Sequence, residues 1–342
     1  MTTLSLASAI GARSAGSRWK AASAAVLLIS PVLAAGARQQ AQPPSPKPDS
    51  PEVTAMIEQA RQAAGPKWAY AVHFWCEEPR PNRPDDPVIV PTKIFDNVYA
   101  IGNSGTTAYV IRTSAGLLMI DALSADQVDS QLLPAFEKLG LDPAELRIVL
   151  VAHGHADHFG GSAYLQEHFG TKVFVSAADW SLMERPPTVR GSGGPSVRIP
   201  RHDGDITDGQ AIVLGDLSVA PVAVPGHTPG SMGFIFPVRD RGTAHVAALF
   251  GGAWLTPQIL SDEALKTFLT SVQRFETATM QAKVDGLLQN HMLMDPIQPK
   301  LDMLAARREG SPNPFVVGQA DYQRFLGVME ACTRVNIKRR QS

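Results

Sequence analysis

The chain has 342 residues, of which 44% are apolar and 18% charged, and its formal net charge is −1. That is enough material for one large domain, or two small ones, with an ample core. The near-neutral balance excludes an electrostatic nucleic-acid binder, which needs a clustered basic surface; no nucleic acid is expected as a partner.

The N-terminus is expected to lie outside the fold. Arg13, Arg18 and Lys20 precede an apolar, Ala-rich run over 21–35, and Val32-Leu33-Ala34 or Ala35-Gly36-Ala37 offers a small-residue cleavage site. A positive start, a short apolar stretch and such an end describe a secretory signal peptide over residues 1–37. The run is short for a membrane span and Pro31 interrupts it. A secreted or periplasmic protein without stable membrane insertion is therefore expected; an uncleaved anchor is the alternative. Residues 38–52, rich in Gln, Pro and Ser, read as a flexible lead-in. Residues 53–335 read as the folded domain, with its core at 94–295. Residues 336–342 read as a tail in which Lys338-Arg339-Arg340 is a solvated helix end. The two cysteines, Cys76 and Cys332, can pair in an oxidising compartment; sequence leaves the pairing open.

Within the domain, Val53, Ile57 and Ala60 share one face of a helix over 53–65, and 66–92 reads as irregular. Strands are predicted at 98–101, 107–111, 116–120 and 146–151, with a helix over 125–138 between the last two. A helix over about 160–168, a strand at 173–175 and a helical turn at 177–183 follow. Residues 185–205 read as a loop rich in Gly, Pro and Arg. Strands recur at 211–214, 217–223, 232–236 and 245–250. A helix at 262–281, a strand at 284–288 and a final helix at 318–333 complete the chain. Two β-rich halves, each with helices on one side, would pack sheet to sheet as a four-layer αββα sandwich of α/β class.

The run Leu146-Arg147-Ile148-Val149-Leu150-Val151-Ala152 ends in His153-Gly154-His155-Ala156-Asp157-His158. On extended backbone, side chains alternate with period two, so His153 and His155 point to one side and can grip one metal ion. Asp157 and His158 lie where the chain turns and could face a second. His227 sits in Pro225-Gly226-His227-Thr228-Pro229-Gly230, whose glycines and prolines fix the backbone as a ligand position requires. His291 follows the last strand in Gln289-Asn290-His291. His73, His168, His202 and His245 lie in no comparable setting.

The set H-x-H-x-D-H, the later G-H-T-P-G and the last strand-end histidine resemble the metallo-β-lactamase fold hydrolases over roughly residues 94–295. The resemblance implies two zinc ions per chain, one held by His153, His155 and His227, the other by Asp157, His158 and His291. It makes Asp121, after Leu118-Met119-Ile120, the carboxylate that supports the site from behind; a helix-cap or turn role for Asp121 stays open.

Glyoxalase II-like thioesterases and lactonases of this fold carry a bridging Asp after a late strand. The corresponding segment here, Ala248-Leu249-Phe250-Gly251-Gly252-Ala253-Trp254, has no carboxylate. In this the chain looks like the subclass B3 metallo-β-lactamases, in which zinc-bound hydroxide attacks the β-lactam amide and Asp157 would orient it. B3 enzymes often place serines after this strand, where Ala253 and Leu255 stand here, with Thr256 the nearby polar residue. The resemblance thus implies a small-molecule substrate, a β-lactam or another cyclic amide or ester. A lactonase, thioesterase or other ester hydrolase is the alternative, and a non-catalytic zinc-binding module the third reading. Trp75 and Trp254 either line the cleft or belong to the core.

Overall fold

Two sheets meet face to face. In the computed structural model, which describes residues 48–77, 86–185 and 197–341, the first sheet is β1 (Thr92–Lys93), β2 (Val98–Gly102), β3 (Thr107–Thr113), β4 (Gly116–Ile120), β5 (Leu146–Leu150), β6 (Lys172–Val175) and β7 (Gly204–Asp205), neighbouring in that order. The strands from β1 to β4 pair antiparallel and those from β4 to β7 parallel. The second sheet runs β12 (Gly286–Leu288), β11 (Thr243–Leu249), β10 (Met232–Asp240), β9 (Leu217–Ala223) and β8 (Ile212–Leu214). Its β11–β12 pair is parallel and the others antiparallel.

Period-two alternation decides which side of each sheet a residue faces. Tyr109, Ile111, Leu118 and Ile120 of the first sheet share a buried core with Phe234, Phe236, Leu249 and Leu288 of the second. Their neighbours Val110, Leu117 and Met119 point the other way, onto Phe136, Phe159, Leu165 and Trp180. Ile235, Ala248 and Leu287 point outward from the second sheet onto residues of helices Pro51–Ala64, Asp262–Gln281 and Gln319–Arg339. Helix, sheet, sheet, helix is the expected αββα sandwich. Burying each large apolar side chain contributes about 1.5–3 kcal/mol, so both faces of both sheets stabilise the fold.

The structure corrects several boundaries. Within 66–92, Ala69–Val72 and His73–Glu77 are helical, and β1 begins at Thr92. Residues 125–138 are helical throughout, as expected, but the helix changes type along its length, from 3-10 to π to α; Pro134, at the start of the α part, has no N–H to donate. Helix Ile297–Ala305 was not expected. Ser50 caps the first helix, so the fold starts inside the expected lead-in. The expected tail is partly packed: the last helix runs to Arg339, Asn336 is buried, Arg339 grips Asp49 and Arg340 pairs with Asp262. Cys76 and Cys332 form a disulfide that ties the N-terminal segment to the last helix. The proposed signal peptide, the lead-in up to residue 47, and 78–85 and 186–196 of the two irregular segments lie outside the described residues. No helix among the described residues is long and apolar enough to cross a membrane.

Candidate metal centre

The carboxyl ends of β4, β5, β9, β11 and β12 gather at one edge of the sandwich, the place where open α/β sheets bind ligands. Beyond β5 come His153, His155, Asp157 and His158, the last two on the helical turn Ala156–Phe159. Beyond β9 comes His227, and beyond β12, His291.

Two triads form there. His153, His155 and His227 present nitrogens within 4.8 Å of one another, and so do His153, His158 and His291. His155 Nδ1 and His227 Nε2 are 3.0 Å apart, as are His158 Nε2 and His291 Nε2. Tetrahedral zinc with bonds of about 2.0–2.1 Å spaces its ligand nitrogens by about 3.3 Å, so both pairs are set at nearly that edge. Asp157 Oδ2 lies 3.4 Å from His158 Nε2 and 3.9 Å from His291 Nε2. The geometry thus places Asp157 at the second triad, and it also makes His153 common to both.

Whether these groups suit a metal can be judged from His153. Its side chain is fully buried, and neither ring nitrogen has a hydrogen-bond partner. Buried polar atoms are rarely left without a partner, and a cation is the partner that imidazoles converging on one point accept. Burial, with the surrounding imidazoles, holds His153 well below the usual histidine range, so it stays neutral as a ligand must. His291 donates Nδ1–H to the Gly105 carbonyl at 3.0 Å, which leaves the Nε2 lone pair facing the centre. Burial lowers its pKa to about 4. His158 behaves oppositely. Burial disfavours its charge, but the Asp157 and Asp121 carboxylates outweigh that and raise its pKa to about 10. A proton at His158 Nε2, aimed at His291 Nε2, stands where a metal ion would displace it.

Asp121 is where the sequence put it. Its backbone is left-handed, φ 61°, beside the centre, a conformation that costs about 1–3 kcal/mol and must be held by its surroundings. Oδ1 accepts from Ala152 N at 2.7 Å, and Oδ2 accepts from His158 Nδ1 at 2.8 Å and Asn290 Nδ2 at 2.9 Å. It fixes the ring of His158 and the strand end that precedes His153. A helix cap is not its role.

Asp179 was missed. It is fully buried in helix Ala177–Met183 and joins the two ligand loops. Oδ2 accepts from Gly154 N at 2.7 Å and from Thr228 Oγ1 at 2.6 Å, and Oδ1 accepts from Gly230 N at 2.8 Å. Burial raises its pKa, and those donors pull it back. The glycines beside His227 are set by close approach. A Cβ at Gly226, φ 135°, would lie 2.6 Å from Phe268 Cα, and one at Gly230 would lie 2.0 Å from Ser176 Oγ. Trp75 is buried, whereas Trp254 is half-buried with its ring edge-on to His291 at 5.2 Å between centroids.

A family model described as the Metallo-beta-lactamase superfamily matches residues 101–241. A hydroxyacylglutathione hydrolase of Haemophilus influenzae is 32% identical over 112 residues, 31% of this chain and 50% of its own length. One of Acidiphilium cryptum is 32% identical over 102 residues, 30% of this chain and 35% of its own. The chain therefore spans half or less of the length of these curated relatives. Among solved structures, a subclass B3 metallo-β-lactamase of Bradyrhizobium japonicum is 23% identical with a TM-score of 0.62, covering 75% of this chain and 96% of that one. A mutant metallo-β-lactamase of Legionella gormanii is 22% identical with a TM-score of 0.65, covering 78% and 99%. The segment that matches the family model carries the first four ligand candidates and His227, and over about three quarters of its length the chain shares the fold of these metallo-β-lactamases.

Proposed function

We propose that the chain is an exported dizinc hydrolase of the B3 type that opens the amide of a β-lactam. His153, His155 and His227 would hold one ion, and Asp157, His158 and His291 the other. When bound, such ions supply Lewis acidity and bring the ionisation of a coordinated water near neutral pH. The protein's part is orientation. Asp121 and the Gly105 carbonyl fix the tautomers of His158 and His291, so that each presents Nε2. The Asp157 side chain, 28% exposed, is the acidic group on the open side of the centre. Burial opposes its charge, but His158 beside it keeps it ionised and able to orient a water.

The observation that carries this reading is the loop after β11. A bridging carboxylate there would mark the thioesterase branch, and Gly251 and Gly252 leave no room for one. A Cβ at Gly251 would lie 2.1 Å from the Met232 carbonyl oxygen, and one at Gly252, φ 71°, 2.8 Å from His227 Cβ. Export is supported by the leader-like N-terminus and the Cys76–Cys332 disulfide, a bond that persists in oxidising compartments. The names of the curated relatives favour a second reading, a glutathione thioesterase.

The test is a substrate panel on zinc-loaded protein: a cephalosporin, a carbapenem, a glutathione thioester and an acyl-homoserine lactone. β-Lactam turnover that a chelator abolishes and zinc restores is expected. Turnover of the thioester alone by a sample with full zinc content overturns the proposal in favour of the second reading.

A further inference from the structure

The segment before the first sheet reaches the loop that flanks the centre. Trp75, 1% exposed, donates its indole N–H to the Ala253 carbonyl at 2.9 Å. Ala253 lies in the loop after β11, which presses on both triads. Gly252 packs on His227. Trp254 stands with its ring steeply inclined to that of His291, and the Phe74 ring lies 6.4 Å from Trp254. One short loop therefore backs a ligand of each triad, and Trp75 holds its middle residue.

Trp75 is itself fastened. Its carbonyl accepts from Asn336 Nδ2 at 3.0 Å, its ring packs 5.1 Å from Phe325, and the next residue is bonded to Cys332. All three anchors lie on helix Gln319–Arg339. The distance of the loop from the ligands is thereby referred to a helix that contributes no ligand.

We propose that Trp75 is a positioning residue for the metal centre, acting through the Ala253 carbonyl to seat Gly252 against His227 and Trp254 against His291. The inference rests on reading the histidine cluster as a metal site. It does not depend on which bond is hydrolysed.

The same segment supplies a matched control. Trp68 donates its indole N–H to the Asp321 carbonyl at 3.1 Å and packs 4.9 Å from Phe325, so its hydrogen bond goes to the last helix and not to the loop after β11. Trp75→Phe and Trp68→Phe each keep an aromatic ring and lose one indole hydrogen bond to the fold. The readout is the zinc dissociation constant by chelator competition, without substrate, with thermal unfolding followed in parallel. Trp75→Phe should weaken zinc binding about five- to tenfold, the equivalent of one buried hydrogen bond, while Trp68→Phe stays within about twofold of the parent. Equal zinc affinities for the two variants overturn the proposal. Should Trp75→Phe not fold, Asn336→Ala, which frees the Trp75 carbonyl, takes its place: at least a threefold loss, roughly, is expected, and an unchanged constant refutes it. Because zinc is titrated without substrate, failure to open β-lactams leaves this outcome standing, and the reverse also holds.

Discussion

Asp179 offers the sharpest test of how the centre is built, because it binds no ligand yet ties two ligand loops together. In Asp179→Ala, Thr228 Oγ1 retains Ser231 Oγ as a partner at 2.7 Å. The amides of Gly154 and Gly230 have no such substitute. Each buried donor left without an acceptor costs about 1–3 kcal/mol, so the alanine variant should lose about 2–6 kcal/mol of unfolding free energy. Asp179→Asn keeps one acceptor oxygen and turns its NH₂ toward a donor, and should lose about half as much, roughly 1–3 kcal/mol. Urea unfolding in the presence of a chelator measures this without any contribution from bound metal. Since Gly154 lies between His153 and His155, and Gly230 closes the turn after His227, zinc affinity should fall with stability, by about tenfold or more. An alanine variant within about 0.5 kcal/mol of the parent and with unchanged zinc affinity would refute the claim that Asp179 sets the spacing of the first triad. A loss of stability with zinc affinity intact would show that the loops hold their ligands independently.

Two further outcomes follow from the geometry. Gly252→Ala forces a left-handed residue and a Cβ contact with His227, at a cost of about 2–5 kcal/mol with reduced zinc content; urea unfolding and metal analysis check it, and a stable, fully loaded variant would reopen the case for a side chain at this position. Asp240 is held below the ordinary carboxylate range by its paired hydrogen bonds to Arg307, at 2.6 and 2.5 Å. Its folded pKa is depressed, so its stabilisation is present above the unfolded value and is lost as pH falls through the folded one. Asp240→Asn should therefore cost about 1–2 kcal/mol near neutral pH and flatten the decline in stability below about pH 4; an acid limb identical to the parent's would contradict this.

What could be read in advance was whatever repeats along the chain or clusters within it. Leu117 to Ile120 and Tyr109 to Ile111 alternate between two cores, so a sandwich was implied by strand period alone. Four ligand candidates fall within six residues, and His227 and His291 each stand at a strand end. Asp179 escaped because its partners lie 25, 49 and 51 residues away; in sequence it looks like an ordinary acidic residue in the first turn of a helix capped by Ser176. Strands β1 and β7, of two residues each, are too short to carry a period. The Cys76–Cys332 bond spans 256 residues, and no local pattern records such a closure. The role of Trp75 depends on that same long-range meeting.

The centre and its rim are made in different ways, and this bears on substrate choice. The candidate ligands stand on strand ends and tight turns whose backbones are fixed by Asp121, Asp179 and glycines that admit no side chain. Beside them, Ala253 and Leu255 are fully buried, and Gly251 and Gly252 are buried and offer no side chain. Hydroxyls at 253 and 255 are thus absent, and even a serine placed there would begin from a buried position. Trp254 remains as the side chain of this loop that meets a ligand. Contacts without hydroxyls discriminate mainly by shape, and shape is a weak discriminator: one methylene is worth about 1–3 kcal/mol, whereas an unpaired polar contact rejects an analogue far more strongly. On the proposed reading, tight selection of one substrate would therefore need polar groups from outside this loop.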